Sequence, residues 1–181
     1  MIKLRREFFL QKTDDVAAQL LGKMIVIFEG KKTFKVIITE TESYHGDDPA
    51  SHASRKRTKR NESMFWQGGH LYVYLIYGIY FCLNITTENY DYPAAVLIRG
   101  AEVIEPEEKI LNGPGKLCRY LGIDKTLDRF DICGKGNKEK FSVYDVGLRP
   151  EFKVTKRIGI SENKDALLRF VVCDKLSYSK K

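Results

Sequence analysis

Apolar residues fall mostly into short runs with a period of two, cut by glycine, proline and charged clusters. Met24 to Phe28 and Thr33 to Ser43 are rich in Val, Ile and Thr and flank Glu-Gly-Lys-Lys at 29–32, which predicts a β-hairpin. Leu71 to Ile76 and Ile79 to Ile85 repeat the pattern around Tyr77-Gly78, and Ala94 to Ile104 continues the sheet after Pro93 breaks the chain. Further strand-like pieces lie near Phe141 to Val146, Lys156 to Ile160 and Leu167 to Cys173. Helical signals are fewer. Thr13 is placed as an N-cap, Asp14 and Asp15 complement the dipole of the first turn, and Val16, Leu20 and Leu21 give an apolar face ending at Gly22. Asn112-Gly-Pro-Gly115 opens a second helix through Leu117, Cys118 and Leu121, with Lys116 pointing outward. Ahead of both, Glu7-Phe-Phe-Leu10 is an apolar patch suited to tucking the N-terminal segment against the core. Strands outnumber helices and consecutive strands can pair as hairpins, so the expected class is α+β, one domain over residues 1–181 with a mainly antiparallel sheet.

Between Tyr44 and Gly69 the periodicity disappears. Gly46, Pro49, Gly68 and Gly69 punctuate a long loop, with a single helical turn expected around Glu62 to Phe65. A stretch of this length without regular structure inside a compact domain is usually functional. Ten Tyr and ten Phe in 181 residues exclude a disordered chain. The formal net charge of +7 favours a polyanionic partner, although charge alone suits a solvated basic surface equally well. Cys82, Cys118, Cys133 and Cys173 show no close pairing, no zinc-finger spacing and no preceding secretory segment, so they read as reduced thiols of a cytoplasmic protein. The sequons at Asn61 and Asn84 are discounted for the same reason. No apolar run approaches the roughly 20 residues that span a bilayer, so no membrane association is expected.

The candidate chemistry lies between residues 38 and 84. Strand alternation puts Glu40 and Glu42 on one face, opposite Thr39 and Thr41. A lone glutamate at a strand end is ordinarily a solvated edge residue. At the lip of a long loop, held by a rigid strand, it is also well placed to orient and deprotonate water, and Glu42 is the better positioned of the two. Tyr72, Tyr74, Tyr77 and Tyr80 fit ordinary sheet positions by propensity. They equally fit a site that holds an unstacked nucleobase between aromatic faces, with Tyr44 and His52 as further walls. His45, Asp47, Asp48 and His52 match no metal-ligand spacing, and neither a metal nor another cofactor is expected. The basic run Arg55, Lys56, Arg57, Lys59 and Arg60 directly follows this cluster and is assigned to phosphate contacts, together with Lys116.

In order and combination, several segments resemble the alkyladenine (3-methyladenine) DNA glycosylase family, which has bacterial members. They are Glu-Thr-Glu-Ser-Tyr (40–44), Ala-Ser-His-Ala (50–53), Arg60-Asn61 with Met64-Phe65, and Leu-Tyr-Val-Tyr-Leu-Ile-Tyr-Gly (71–78) leading to Asn84. Val96-Leu-Ile-Arg99, Asn112-Gly-Pro-Gly-Lys-Leu-Cys118 and Arg157-Ile-Gly-Ile160 extend the likeness over most of the chain. The resemblance implies a curved antiparallel sheet with surrounding helices and a protruding hairpin, acting as a monomer on double-stranded DNA that contains damaged purines. It implies an enzyme that flips the damaged purine out of the duplex and hydrolyses its N-glycosidic bond. On that resemblance Glu42 is the general base and Arg99 helps hold its water. Tyr44, His52 and Tyr74 stack around the base, Asn84 borders the pocket, and Tyr77 fills the gap left in the helix. The chain departs from the family at Leu176-Ser177-Tyr178-Ser179, where an aromatic-Val-Ser segment usually borders the water site. It departs again at Leu167-Leu168, where Pro-Trp is usual and a substitution within the core is expected. The competing reading is a non-catalytic module that stacks single-stranded nucleic acid on its tyrosines and binds without turnover.

Overall fold

In the computed structural model, which describes residues 1–134 and 140–174, every strand ladder is antiparallel, both in the tight hairpins and in the ladders between strands distant in sequence. The strands are β1 (Ile2–Lys3), β2 (Met24–Glu29), β3 (Lys32–Tyr44), β4 (Leu71–Ile76), β5 (Tyr80–Thr86), β6 (Ala95–Glu105), β7 (Lys109–Asn112), β8 (Phe141–Asp145), β9 (Phe152–Thr155) and β10 (Arg169–Val172). Their main order is β1-β8-β2-β3-β6-β5-β4, with β7 added beside β6 and β9 joined through β10 to β3. The helices are short: α1 (Arg6–Phe9), α2 (Thr13–Leu20) and α3 (Pro114–Tyr120). The result is an α+β fold. The principal core combines Phe9, Val16, Ala17 and Leu20 from α1 and α2, and Leu117 and Cys118 from α3, with inward residues of β2 to β6 such as Ile25, Val36, Ile38, Val73, Leu83 and Ile98. Among the described residues no helix is long and apolar enough to cross a membrane.

The long strand β3 organises the site. Its first half pairs with β2, whereas residues 40–42 pair with β10, and β6 follows the other edge for nearly its whole length. The β3–β6 ladder carries paired irregularities. Ile38 faces Ala101 and Glu40 faces Gly100, so Thr39 is an extra residue on β3; Thr41 then faces Ile98, so Arg99 is an extra residue on β6. Such bulges bend a strand and re-aim side chains. Arg99 is thereby brought beside the glutamates of β3, and its carbonyl accepts a hydrogen bond from Gly113 N–H at 2.9 Å, anchoring the bulge to the start of α3.

Several expectations are corrected. Thr13 is the first residue of α2 and Lys12 occupies the N-cap; the Thr13 hydroxyl instead donates to Glu88 Oε1 at 2.5 Å and meets Thr87 Oγ1 at 3.0 Å, tying α2 to the segment after β5. Residues 156–160 form no strand. The buried Arg157 side chain is committed to Asp48 and the Ser43 carbonyl, and the Ile158 N–H to the Glu42 carboxylate instead of a ladder partner; the strand in this region is β9. Leu167 is 58% exposed and Leu168 only half-buried, so this pair is no core substitution; Leu168 contributes its carbonyl to Ser43 N–H. The short strand β7 is an addition to the expected elements, since Lys109–Asn112 carries little apolar pattern. The divergent segment at 176–179 lies outside the described residues.

Candidate active site

Glu42 sits between two paired strands, opposite Leu97 of β6 and Arg169 of β10, which explains why a strand-end carboxylate is 0% exposed. The solvated-edge reading is therefore reversed. Its Oε2 accepts a hydrogen bond from the Tyr44 hydroxyl at 2.9 Å, and its Oε1 accepts one from Ile158 N–H at 3.0 Å. Arg99 Nε stands 3.5 Å from Oε1. Burial pushes the Glu42 carboxyl above its ordinary range, and the charge of Glu40 adds to this. The Arg99 charge and the two hydrogen bonds oppose the shift without reversing it. A carboxylate raised in this way and fixed by two donors suits proton abstraction better than a solvated glutamate does.

Glu42 lies at the floor of a cleft of about 1240 Å³. One wall is aromatic. Tyr72 and Tyr74, two apart on β4, place their ring centroids 5.1 Å apart at 34°, and the edge of His52 meets Tyr74 at 4.5 Å and 79°. His52 Nδ1 lies 2.9 Å from the Tyr72 hydroxyl. Packing of this imidazole against the tyrosines, with Arg60 nearby, lowers its pKa and favours the neutral ring. Burial raises the Tyr74 phenol well above its ordinary value, and Tyr44 is raised by burial and by the adjacent Glu42, so both rings stay neutral. Asn84, buried on β5, donates from Nδ2 to the Tyr72 carbonyl at 3.0 Å and fixes the register of the two strands under the aromatic wall. The cleft thus gathers Glu42, Arg99, Tyr44, His52, Tyr74 and Asn84, with Tyr77 at its rim.

Tyr77 occupies the tip of the β4–β5 hairpin with φ 52°, followed by Gly78 at φ 70°, and Ile79 N–H donates to Ile76 carbonyl at 3.1 Å. Two successive left-handed residues match the twist of a tight hairpin, which glycine adopts freely and tyrosine only at a cost. The Tyr77 ring is 77% exposed and so gains nothing from burial.

The basic run divides. Arg55 and Lys116 line the cleft, while Arg60 donates to the Leu75 carbonyl at 3.1 Å and lies over the Tyr74 ring. Lys56 and Lys59 are exposed. Arg57 makes a two-pronged pair with Glu62, at 3.0 and 2.6 Å, and a further bond to Asp91 at 2.8 Å, so its charge is already matched locally.

Sequence reasoning assigns no role to Arg157, although the Arg157-Ile-Gly-Ile160 segment stands out as a motif. Its side chain is buried in an ion pair with Asp48 and donates to the Ser43 carbonyl at 3.0 Å, while its guanidinium covers the outer face of Tyr44 at 4.6 Å. Asp48 also accepts from Asn163 at 2.9 Å. This clamp joins the loop that carries His52 to the loop that delivers Ile158 N–H to Glu42. Asp48 is committed to it, and His45 Nε2 pairs with Asp14 at 2.9 Å. Among the described residues no cluster of three side chains is assembled for a metal.

The known proteins similar to this chain point to one family. A model of the methylpurine-DNA glycosylase family matches residues 7–176. A protein of Rickettsia felis is 52% identical over 175 residues, covering 96% of this chain and 95% of its own length. A Rickettsia bellii protein is 41% identical over 220 residues, covering 99% and 97%. Both carry the name "Putative 3-methyladenine DNA glycosylase". With the match running through every segment that builds the cleft, this chain belongs to the methylpurine-DNA glycosylase family.

Proposed function

We propose that this protein is a monofunctional 3-methyladenine DNA glycosylase that excises alkylated purines from duplex DNA, using a water activated by Glu42. The observation that carries the reading is a fully buried carboxylate at the floor of a cleft walled by Tyr44, Tyr74 and His52. A base can reach that floor only after leaving the stack, and the aromatic walls stabilise the extruded base by stacking worth roughly 1–3 kcal/mol per base. Tyr77, exposed at the hairpin tip, is placed to enter the vacated space.

An alkylated purine that carries positive charge is already a good leaving group. As its glycosidic bond breaks, the bonding electrons go to the purine, which departs neutral. Water adds to the cationic sugar carbon and loses its proton to Glu42, leaving an abasic site. Glu42 in its anionic form also stabilises the positive charge that builds on the sugar, and Arg99 beside it is placed to hold the water. Neutral Tyr44, Tyr74 and His52 suit a cationic base, because none of them presents a like charge to it.

Incubating the protein with a duplex that contains one alkylated purine tests this directly. The expected product is free purine plus a strand that breaks only after alkali. Tight binding with no base released would support the single-stranded binding module instead.

A further inference from the structure

Glu40 shares a face of β3 with Glu42, and the sequence ranks it as the less well positioned of the two. Its surroundings are those of a built feature. Glu40 Oε1 accepts from Arg99 Nε at 2.8 Å and from Arg169 Nε at 2.6 Å, and the three side chains are 14%, 15% and 20% exposed. Arg169 reaches Glu40 diagonally from β10, where it stands opposite Glu42. The residue facing Glu40 on β6 is Gly100, and a Cβ there would lie 3.0 Å from Glu40 Cβ and 3.3 Å from its Oε2. The glycine and the two bulges together make room for the Glu40 carboxylate between Arg99 and Arg169.

We propose that Glu40 is a positioning residue for the excision reaction, holding the Arg99 guanidinium away from a direct pair with Glu42 and keeping the charged cluster beneath the reacting sugar neutral. This rests on the assignment of Glu42 as the base. Arg99 Nε lies 2.8 Å from Glu40 but 3.5 Å from Glu42, so the shorter, charge-assisted bond goes to Glu40. Glu40 and Glu42 balance Arg99 and Arg169. Without the Glu40 charge, Arg99 is free to close on Glu42 and occupy the space where water must stand. The cluster would also gain one unit of positive charge beneath a sugar that itself becomes cationic.

The titratable and charged groups around Glu42 are Glu40 and Tyr44 on its own strand, Arg99 on β6, Cys82 on β5, Arg157 on the adjoining loop and Arg169 on β10. Glu40 helps raise the Glu42 pKa and Arg99 lowers it. Replacing Glu40 by Gln therefore lowers it, and replacing Arg169 by Gln, which removes a positive charge and leaves Glu40 wholly to Arg99, raises it. A merely structural role would not move the two variants in opposite senses.

The test is the pH profile of single-turnover excision by the wild-type protein, Glu40→Gln, Arg169→Gln and Glu42→Gln, with a melt and damaged-duplex binding for each. Glu40→Gln should lose roughly ten- to a hundredfold in rate, by analogy with the loss that follows when a hydrogen-bonding partner orienting a metal ligand is removed. Its acid limb should move to lower pH, and that of Arg169→Gln to higher pH. If Glu40→Gln does not fold, the direction shown by Arg169→Gln decides, and an unmoved limb there overturns the proposal. Wild-type-like rate and limb in Glu40→Gln, while Glu42→Gln is inactive, would overturn this proposal alone. Absence of excision by the wild-type protein would overturn it together with the functional reading.

Discussion

Burial of Glu42 works against stability and for chemistry at once. An acid whose folded pKa is raised above its unfolded value binds protons more readily when folded, so its contribution to stability falls as pH rises through the interval between the two values. Above that interval the buried charge costs folding free energy relative to the solvated charge of the unfolded chain. Glu42→Gln, which keeps the shape and removes the charge, should therefore melt at or above the wild-type temperature. As the proposed base, Glu42 acts in its deprotonated form, so single-turnover excision should rise with pH along an acid limb centred above the 4.5 of an unperturbed glutamate. A limb at or below that value would show that Arg99 and the two hydrogen bonds outweigh burial. Residue identity in this cluster was legible: Glu42, Tyr44, His52, Tyr74, Asn84 and Arg99 all meet in one cleft. The setting of Glu40 was not, since its partners Arg99 and Arg169 are 59 and 129 residues away in sequence.

Among the elements, the β4–β5 hairpin makes the sharpest claim. Its period-two pattern and the Tyr-Gly turn were readable, and the turn residues have the positive φ values that such a tip requires. The ring at the tip has no core to lose, so Tyr77→Ala should keep the wild-type melting temperature, whereas deleting a packed aromatic would cost about 3–5 kcal/mol. Excision from duplex DNA should slow and damage-specific binding should weaken. A large fall in melting temperature with normal excision by the folded protein would end the wedge assignment. Where the sequence misjudged the elements, distant partners decided the outcome. Residues 156–160 look like a strand by composition, but Arg157 and Ile158 satisfy distant groups, Asp48 and Glu42, that local periodicity cannot reveal. Likewise β7 exists because β6 offers a free edge beside the Arg99 bulge, while its own residues carry almost no pattern.

For the whole molecule, the net charge of +7 favours a polyanionic partner, and in the proposed account it is set apart from the cleft, where Glu40 and Glu42 balance Arg99 and Arg169. Binding to undamaged duplex should weaken steeply with salt, and removing one phosphate-binding cation should flatten the log-log slope by about 0.9. Replacing Arg55, Lys56 and Lys59 by Ala should reduce that slope, and Arg57→Ala should reduce it less, because Glu62 and Asp91 already match the Arg57 charge. An unchanged slope in the triple variant would make this loop a solvated surface only. The fold places one buried carboxylate, Glu42, in the lining of the aromatic cleft, and the proposed function makes it the base that acts on an extruded purine. The most direct measurement of that claim is single-turnover excision of an alkylated purine from duplex DNA by the wild-type protein and by Glu42→Gln, with damaged-duplex affinity measured in parallel. The account predicts rapid release of free base by the wild type, and abolished release with nearly unchanged affinity for the variant. Release by Glu42→Gln at a rate near that of the wild type would contradict it.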